Sequence, residues 1–84
     1  MQVVNHRRRV VESAGDLTQD EWRSILEEFD HCCAYCQARG MSLEQDHMTP
    51  VSRGGRHTAI NVVPACGSCN RRKNARTIFE FLGA

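Results

Sequence analysis

The sequence predicts one small α+β domain, and three observations carry this prediction. Two Cys-x2-Cys pairs, Cys33/Cys36 and Cys66/Cys69, lie on either side of two short segments that we interpret as strands. Helix-start signals occur before the first pair and after the second. The chain has 84 residues, enough for one small domain. A hydrophobic core of this size gives only marginal stability, so disulfides, a bound metal ion or a partner are expected additions.

The composition is ordinary for a soluble globular protein, with 40% hydrophobic and 25% charged residues. No apolar run approaches the roughly 20 residues that span a bilayer. The segment 1–9 contains three arginines, but no apolar stretch follows them, so a signal peptide is not expected. We therefore expect the protein to act in the cytoplasm.

The net charge of +1 is unevenly distributed. Residues 1–30 carry four arginines and seven acidic residues, whereas residues 31–84 carry six arginines, one lysine and three acidic residues. The planar guanidinium group of arginine suits phosphate oxygens. The C-terminal part is therefore the candidate anion-binding part. A mixed, solvated surface is the alternative.

The predicted domain covers residues 17–84, preceded by an arm at residues 1–16. The arm lacks helical periodicity and contains the basic run Arg7–Arg9, so we expect a flexible arm or a loosely docked lead-in. Its arginines either contact a nucleic-acid backbone or only solubilise the chain.

The first helix has a clear start. Thr18 and Glu21 form a T-x-x-E capping box, and Leu17 and Trp22 occupy the positions of a hydrophobic staple. The helix should run to about Asp30. Its apolar residues recur at i, i+3, i+4 and i+7 and are expected in the core: Trp22, Ile25, Leu26 and Phe29.

The middle of the chain contains two strand candidates and a loop. Residues 43–47 read as a short strand, and residues 48–60 form a long loop rich in glycine, serine and threonine. Long loops in compact domains are usually functional. Residues 61–63 are a second strand that Pro64 is expected to stop.

Two further helices are predicted near the C-terminus. The second cysteine pair opens one of them, and Asn74 can end it in the left-handed conformation. Thr77 and Glu80 form another capping box, which starts a short terminal helix.

The two cysteine pairs predict a structural zinc site. Four thiolates suit a closed tetrahedral Zn²⁺ site, which adds folding free energy directly. The ligands are Cys33, Cys36, Cys66 and Cys69. Cys32 is left out, because a spacing of three residues to Cys36 is less usual. A redox pair is the alternative, but two matched pairs without a thioredoxin-like βαβ pattern disfavour it.

A plain zinc ribbon leaves about 15–20 residues between its cysteine pairs, whereas 29 residues intervene here. In its order of motifs the stretch Cys33–Lys73, about half of the chain, closely resembles the HNH endonuclease family. The small size and the preceding helix are similar to those of stand-alone HNH proteins of phages and bacteria. The motifs are Cys33-x2-Cys36, Leu43–His47, Pro50–Gly55, Asn61-x-Val63 and Cys66-x2-Cys69 followed by Asn70–Lys73.

The resemblance implies a fold and an activity. The fold would be a small ββα-metal (His-Me finger) domain stapled by a four-cysteine zinc site, with a preceding N-terminal helix. The activity would be metal-dependent hydrolysis of DNA phosphodiester bonds, leaving 5′-phosphate and 3′-hydroxyl ends. One active site per monomer predicts nicking, and double-strand breaks would need a dimer or two events. A monomer or weak dimer is expected.

The candidate catalytic residues are His47, Asp46, Asn61 and Asn70. Histidine accepts a proton near neutral pH, so His47 is assigned as general base. Asp46 is a hard oxygen ligand for Mg²⁺ or Mn²⁺. Adjacent strand residues point to opposite faces, so both can serve one site only where the strand ends or bends. By resemblance, Asn70 is the second metal ligand and Asn61 ties the loop to the strand. Ni²⁺ is a further cation expected to work in vitro. His57 is taken as a solvated loop residue.

Basic residues near these motifs are candidate contacts to the DNA backbone, which give affinity without sequence information. They are Arg53, Arg56, Arg71, Arg72, Lys73 and Arg76. Two alternatives to a stand-alone enzyme stay open. One is a non-catalytic zinc module that binds DNA or protein. The other is an accessory nuclease subunit active only in a complex, such as phage DNA packaging or restriction machinery.

Overall fold

The computed structural model describes residues 16–83, so the predicted arm at residues 1–16 lies, apart from Asp16, outside the described residues. The elements are helix α1 (Gln19–Glu28), strand β1 (Leu43–His47), 3₁₀ turns at Val51–Arg53 and Ala59–Asn61, strand β2 (Val62–Cys66), helix α2 (Gly67–Lys73) and helix α3 (Ile78–Phe81). This arrangement confirms the predicted α+β fold class. Within residues 16–83, no helix is long and apolar enough to cross a membrane.

Helix α1 begins at the predicted capping box. The Thr18 hydroxyl accepts from the Glu21 N–H at 3.1 Å, and the Glu21 carboxylate accepts from the Thr18 N–H at 2.8 Å. The helix ends at Glu28, two residues before the predicted end, because Asp30 and His31 adopt positive φ angles. Its predicted stripe contributes to one core cluster, made of Ile25, Ala59 and Val62 with Leu17, Trp22 and Phe29 packed around them.

Strands β1 and β2 form a two-stranded antiparallel sheet in which His47 lies opposite Val62. The prediction that Pro64 stops the second strand is wrong, because β2 continues to Cys66. Pro64 lies opposite Gln45, and its carbonyl accepts from the Ala34 N–H at 2.8 Å instead of from β1. It therefore occupies a pair without ladder hydrogen bonds, where the missing N–H of proline costs nothing.

The loop between the strands is held by the side chain of Asn61. Its Oδ1 accepts from the Thr49 N–H at 2.9 Å, and its Nδ2 donates to the carbonyls of Thr49 and Arg56, also at 2.9 Å. Gly55 lies against the hydrogen-bonded Thr49 and Asn61, so that a Cβ atom on Gly55 would sit 1.8 Å from the Thr49 carbonyl oxygen. Only glycine fits this position without moving the backbone.

Helices α2 and α3 complete the domain. Cys66 caps α2 by accepting from the Cys69 N–H at 3.5 Å. Asn74 ends the helix as predicted and has a positive φ of 53°, but its ψ of −130° lies outside the left-handed helical region that the sequence predicts. The second capping box is present as predicted, at Thr77 and Glu80. Helix α2 packs across both strands, which brings its side chains to the end of β1.

The lack of space at Gly55 predicts that a larger residue there destabilises the protein. Gly55→Ala should lower the free energy of unfolding by about 3 kcal/mol, because the new methyl group overlaps the Thr49 backbone. Gly54→Ala is the matched control. Its added Cβ meets open space, so only its φ of 92° is unfavourable, at about 1 kcal/mol. Denaturant unfolding of the zinc-loaded protein would measure both, and equal losses would contradict the prediction.

Candidate functional site

Four cysteine side chains converge where the segment after α1 meets the β2–α2 junction. Their sulfur atoms all lie within 4.8 Å of one another, and the Cys36 and Cys66 sulfurs are 3.9 Å apart. Tetrahedral Zn²⁺ with bonds of about 2.3 Å separates its sulfur ligands by about 3.8 Å, so the donor set fits zinc. The four are Cys33, Cys36, Cys66 and Cys69. Cys32 lies outside the cluster, and its thiol donates to the Asp30 carbonyl at 3.4 Å.

The surroundings of the sulfurs affect their protonation. Burial raises the pKa of Cys33, but backbone N–H groups, first that of Cys36, outweigh it and lower the pKa to about 6. Burial raises the pKa of Cys69 to about 12, although Arg72 donates to its sulfur at 3.3 Å. Metal ligation requires thiolates, so a bound cation would hold all four in the deprotonated form.

Asp46 lies on the face of β1 that meets α2. Its side chain is 4% exposed, and the Tyr35 hydroxyl donates to its Oδ2. Its Oδ1 is 3.4 Å from the Lys73 ammonium, which also donates to the His47 carbonyl at 2.7 Å. Burial and the bond to Asp46 raise the pKa of Tyr35, so its hydroxyl stays protonated as a donor. The Asp46 carboxylate is therefore held from two sides.

The sequence predicts a DNA-phosphate contact for Lys73, and the structure contradicts this. Its side chain is 1% exposed, because its ammonium compensates the buried charge of Asp46. The sequence holds a signal that reveals this position. Cys66, Cys69 and Lys73 fall at i, i+3 and i+7, one face of a helix, and this face is buried.

Asn70 lies on α2 opposite Glu44, and its side-chain N–H donates to the Glu44 carboxylate at 2.7 Å. Strand alternation places Glu44 and Asp46 on the same face of β1. This face therefore offers carboxylate and amide oxygens, the donor atoms that Mg²⁺ and Mn²⁺ prefer. Glu44 is not among the predicted site residues. Its spacing of two residues from Asp46 on a strand indicates that both side chains lie on the same face.

His47 is the last residue of β1 and points to the opposite face from Asp46. Its Nε2 lies 2.9 Å from Nδ1 of His57, and the two ring centroids are 5.1 Å apart. Burial, then the neighbouring His57, lowers the pKa of His47 below its ordinary value. The lowered pKa favours the neutral form of the His47 imidazole, in which one ring nitrogen can accept a proton.

The other predicted DNA-contacting residues are arginines on the surface, and several of them also contact protein groups. Arg53 pairs with Glu80 at 2.5 Å, and Arg76 donates to the Arg72 carbonyl at 2.6 Å. The Arg72 guanidinium lies over the Phe81 ring, 5.8 Å from its centroid. All of the predicted arginine contacts are exposed: Arg53, Arg56, Arg71, Arg72 and Arg76.

Comparison with known proteins assigns the chain to a family. No curated protein matches the chain. A protein-family model described as HNH endonuclease matches residues 33–76, just over half of the sequence. The match begins at the first cysteine of the four-sulfur cluster and includes the sheet, helix α2 and the oxygen-bearing face of β1 described above. It supports a nuclease-type function in general. The chain belongs to the HNH endonuclease family.

Proposed function

We propose that this protein is a metal-dependent DNA endonuclease that hydrolyses phosphodiester bonds. The observation that carries the proposal is the position of His47, half-buried at the end of β1 and one residue from the oxygen-bearing face around Asp46. Its lowered pKa supports the proposal. Family membership supports the nuclease class and DNA as substrate. We assign the domain to residues 17–84.

His47 acts as the general base in this proposal. Its free ring nitrogen takes a proton from a water molecule, and the resulting hydroxide attacks the phosphorus atom. The bond from phosphorus to the 3′ oxygen breaks, and that oxygen leaves with a proton from solvent. The products carry 5′-phosphate and 3′-hydroxyl ends. A neutral imidazole suits this role, because a protonated ring cannot accept the proton of water.

Asp46 and Asn70 would hold a divalent cation, and Glu44 lies close enough to Asn70 to contribute another oxygen. Mg²⁺ or Mn²⁺ suits these ligands, and Ni²⁺ is a further candidate in vitro. When bound, the cation supplies a Lewis acid for the phosphate and stabilises negative charge. Tyr35 and Lys73 orient Asp46, as hydrogen-bonding and charged partners of metal ligands commonly do.

The four-cysteine cluster would hold a structural Zn²⁺. It joins the segment containing Tyr35 to the start of α2, and so connects a partner of Asp46 to the helix that carries Asn70. A closed site of this kind contributes folding free energy and takes no part in the chemistry.

The exposed arginines would bind the DNA backbone, and weak sequence specificity follows from contacts of this kind. A monomer would nick one strand, since residues 16–83 contain one such site. Residues Arg7–Arg9 of the arm add to the positive charge available for DNA. A partner from phage DNA-packaging or restriction machinery would raise the nicking activity when it is added to the protein.

Nicking of a supercoiled plasmid tests the proposal. The wild type should convert supercoiled to open-circular DNA with Mg²⁺ or Mn²⁺ and not with EDTA. His47→Ala should slow the conversion by about 10² to 10⁴-fold, the usual contribution of a general base. If wild type and variant are equally inert with every cation while folded and zinc-loaded, the stand-alone enzyme is excluded. Activity that appears only with an added partner would indicate an accessory subunit.

Metal content tests the zinc assignment. Elemental analysis should find one zinc per chain, since the cluster has four sulfur ligands. Cys69→Ser should lose zinc and the circular-dichroism signal of the folded protein. Cys32→Ser should keep both, because Cys32 lies outside the cluster. Zinc loss in the Cys32 variant would contradict the assignment.

Salt dependence tests the DNA surface. Arg71→Ala should reduce the slope of log affinity against log salt by about 1, as loss of one phosphate contact does. Arg23→Ala is the control, because Arg23 lies on α1 and pairs with Asp20. The slope should stay unchanged in the control. An unchanged slope for Arg71→Ala would remove this residue from the proposed surface.

A further inference from the structure

His57 contacts a ring nitrogen of the proposed base. Its Nδ1 lies 2.9 Å from Nε2 of His47, with the two rings tilted by 52°. This is a hydrogen bond between two imidazoles, so one nitrogen must carry the proton and the other must accept it. His57 belongs to none of the sequence motifs that define the family in this chain.

The loop that carries His57 is fixed on both sides. The Asn61 side chain donates to the Arg56 carbonyl at 2.9 Å, and the Leu17 N–H donates to the His57 carbonyl at 2.8 Å. The Asn61 N–H donates to the Thr58 carbonyl at 2.9 Å. Three successive carbonyls are therefore held, two of them by Asn61. The His57 side chain is half-buried, and the hydrogen bonds to the loop carbonyls hold the backbone from which it extends.

The contact limits which nitrogen of His47 can act. Nε2 is engaged with His57, so Nδ1 is the nitrogen left to accept a proton from water. A neutral imidazole carries one proton, and Nδ1 can accept another only if that proton is on Nε2. In that arrangement Nε2 of His47 donates, and Nδ1 of His57 accepts. The proton of a neutral His57 then lies on its own Nε2.

We infer that His57 is a positioning residue that holds His47 in the tautomer with the proton on Nε2 and the lone pair on Nδ1. The inference rests on the proposed function, since it concerns the base of that reaction. When His47 takes a proton at Nδ1, Nε2 keeps its own proton and its bond to His57. The hydrogen bond therefore persists through the step, and it becomes stronger because its donor is now charged.

Variants of His57 can remove the acceptor at the position of Nδ1 or put it back. His57→Ala removes the acceptor. Asparagine places its side-chain oxygen as far from the backbone as Nδ1 of histidine, so His57→Asn can restore it. Glutamine places its oxygen one bond further, near the position of Nε2, so His57→Gln should not. His31→Asn is the control, because His31 is exposed and its φ of 57° suits asparagine.

Two measurements on the zinc-loaded protein test the inference. Long-range proton–nitrogen spectra of uniformly ¹⁵N-labelled protein report which nitrogen of His47 carries the proton. We expect Nε2 in wild type, His57→Asn and His31→Asn, and a mixture of tautomers in His57→Ala and His57→Gln. Single-turnover nicking should fall about 10- to 100-fold in His57→Ala, the usual effect of removing an outer-shell partner. DNA affinity should stay unchanged, and His57→Asn should recover most of the rate.

A merely structural role for His57 predicts a different pattern. It would lower DNA affinity, zinc content and unfolding midpoint together, and asparagine and glutamine would behave alike. That pattern, or a His57→Ala protein with the wild-type tautomer and rate, overturns the inference. If the wild type does not nick but the tautomer of His47 follows His57 as expected, the proposed function fails and the positioning of His47 by His57 stands.

Discussion

The ion pair between Lys73 and Asp46 is the contact on which the candidate site depends. Both side chains are almost completely buried, at 1% and 4% exposure. Removing one partner of such a pair typically costs about 3–5 kcal/mol, because the other charge is left buried. The same ammonium donates to the His47 carbonyl. One cation thus fixes the side chain of one proposed site residue and the backbone of the next, at the point where β1 ends.

Helix α2 is positioned by its two ends. It has seven residues, Gly67–Lys73, and an isolated helix of that length is unstable in water. Its N-terminal end carries Cys66 and Cys69, two residues of the four-sulfur cluster, and its last residue is Lys73. The Asn70 side chain lies between these anchors and reaches Glu44 across the gap to β1. The four-sulfur cluster and the ion pair therefore fix the position of the Asn70 amide, which the short helix alone could not do.

The sequence predicts those features that depend on near neighbours in the chain. Both capping boxes, the cysteine pairs and the end of α2 at Asn74 follow from local spacing, and the structure contains them. The errors concern contacts between distant segments. Pro64 stays in β2 because its carbonyl bonds to Ala34, and Lys73 turns inward to Asp46, 27 positions earlier. The contact of His57 with His47 depends on the folded loop, for which local sequence gives no signal.

The two faces of β1 explain how adjacent residues can do different chemistry. Strand alternation sends Asp46 towards α2 and its cation, Lys73, and sends His47 towards His57. A carboxylate facing the imidazole would stabilise the imidazolium and raise its pKa. Here Asp46 does act in that direction on the pKa of His47, but burial, His57 and Lys73 outweigh it. The sheet thus keeps a buried, paired carboxylate and an imidazole with a lowered pKa one residue apart. In the proposed reaction a phosphate at the strand end would meet both, because β1 ends at His47.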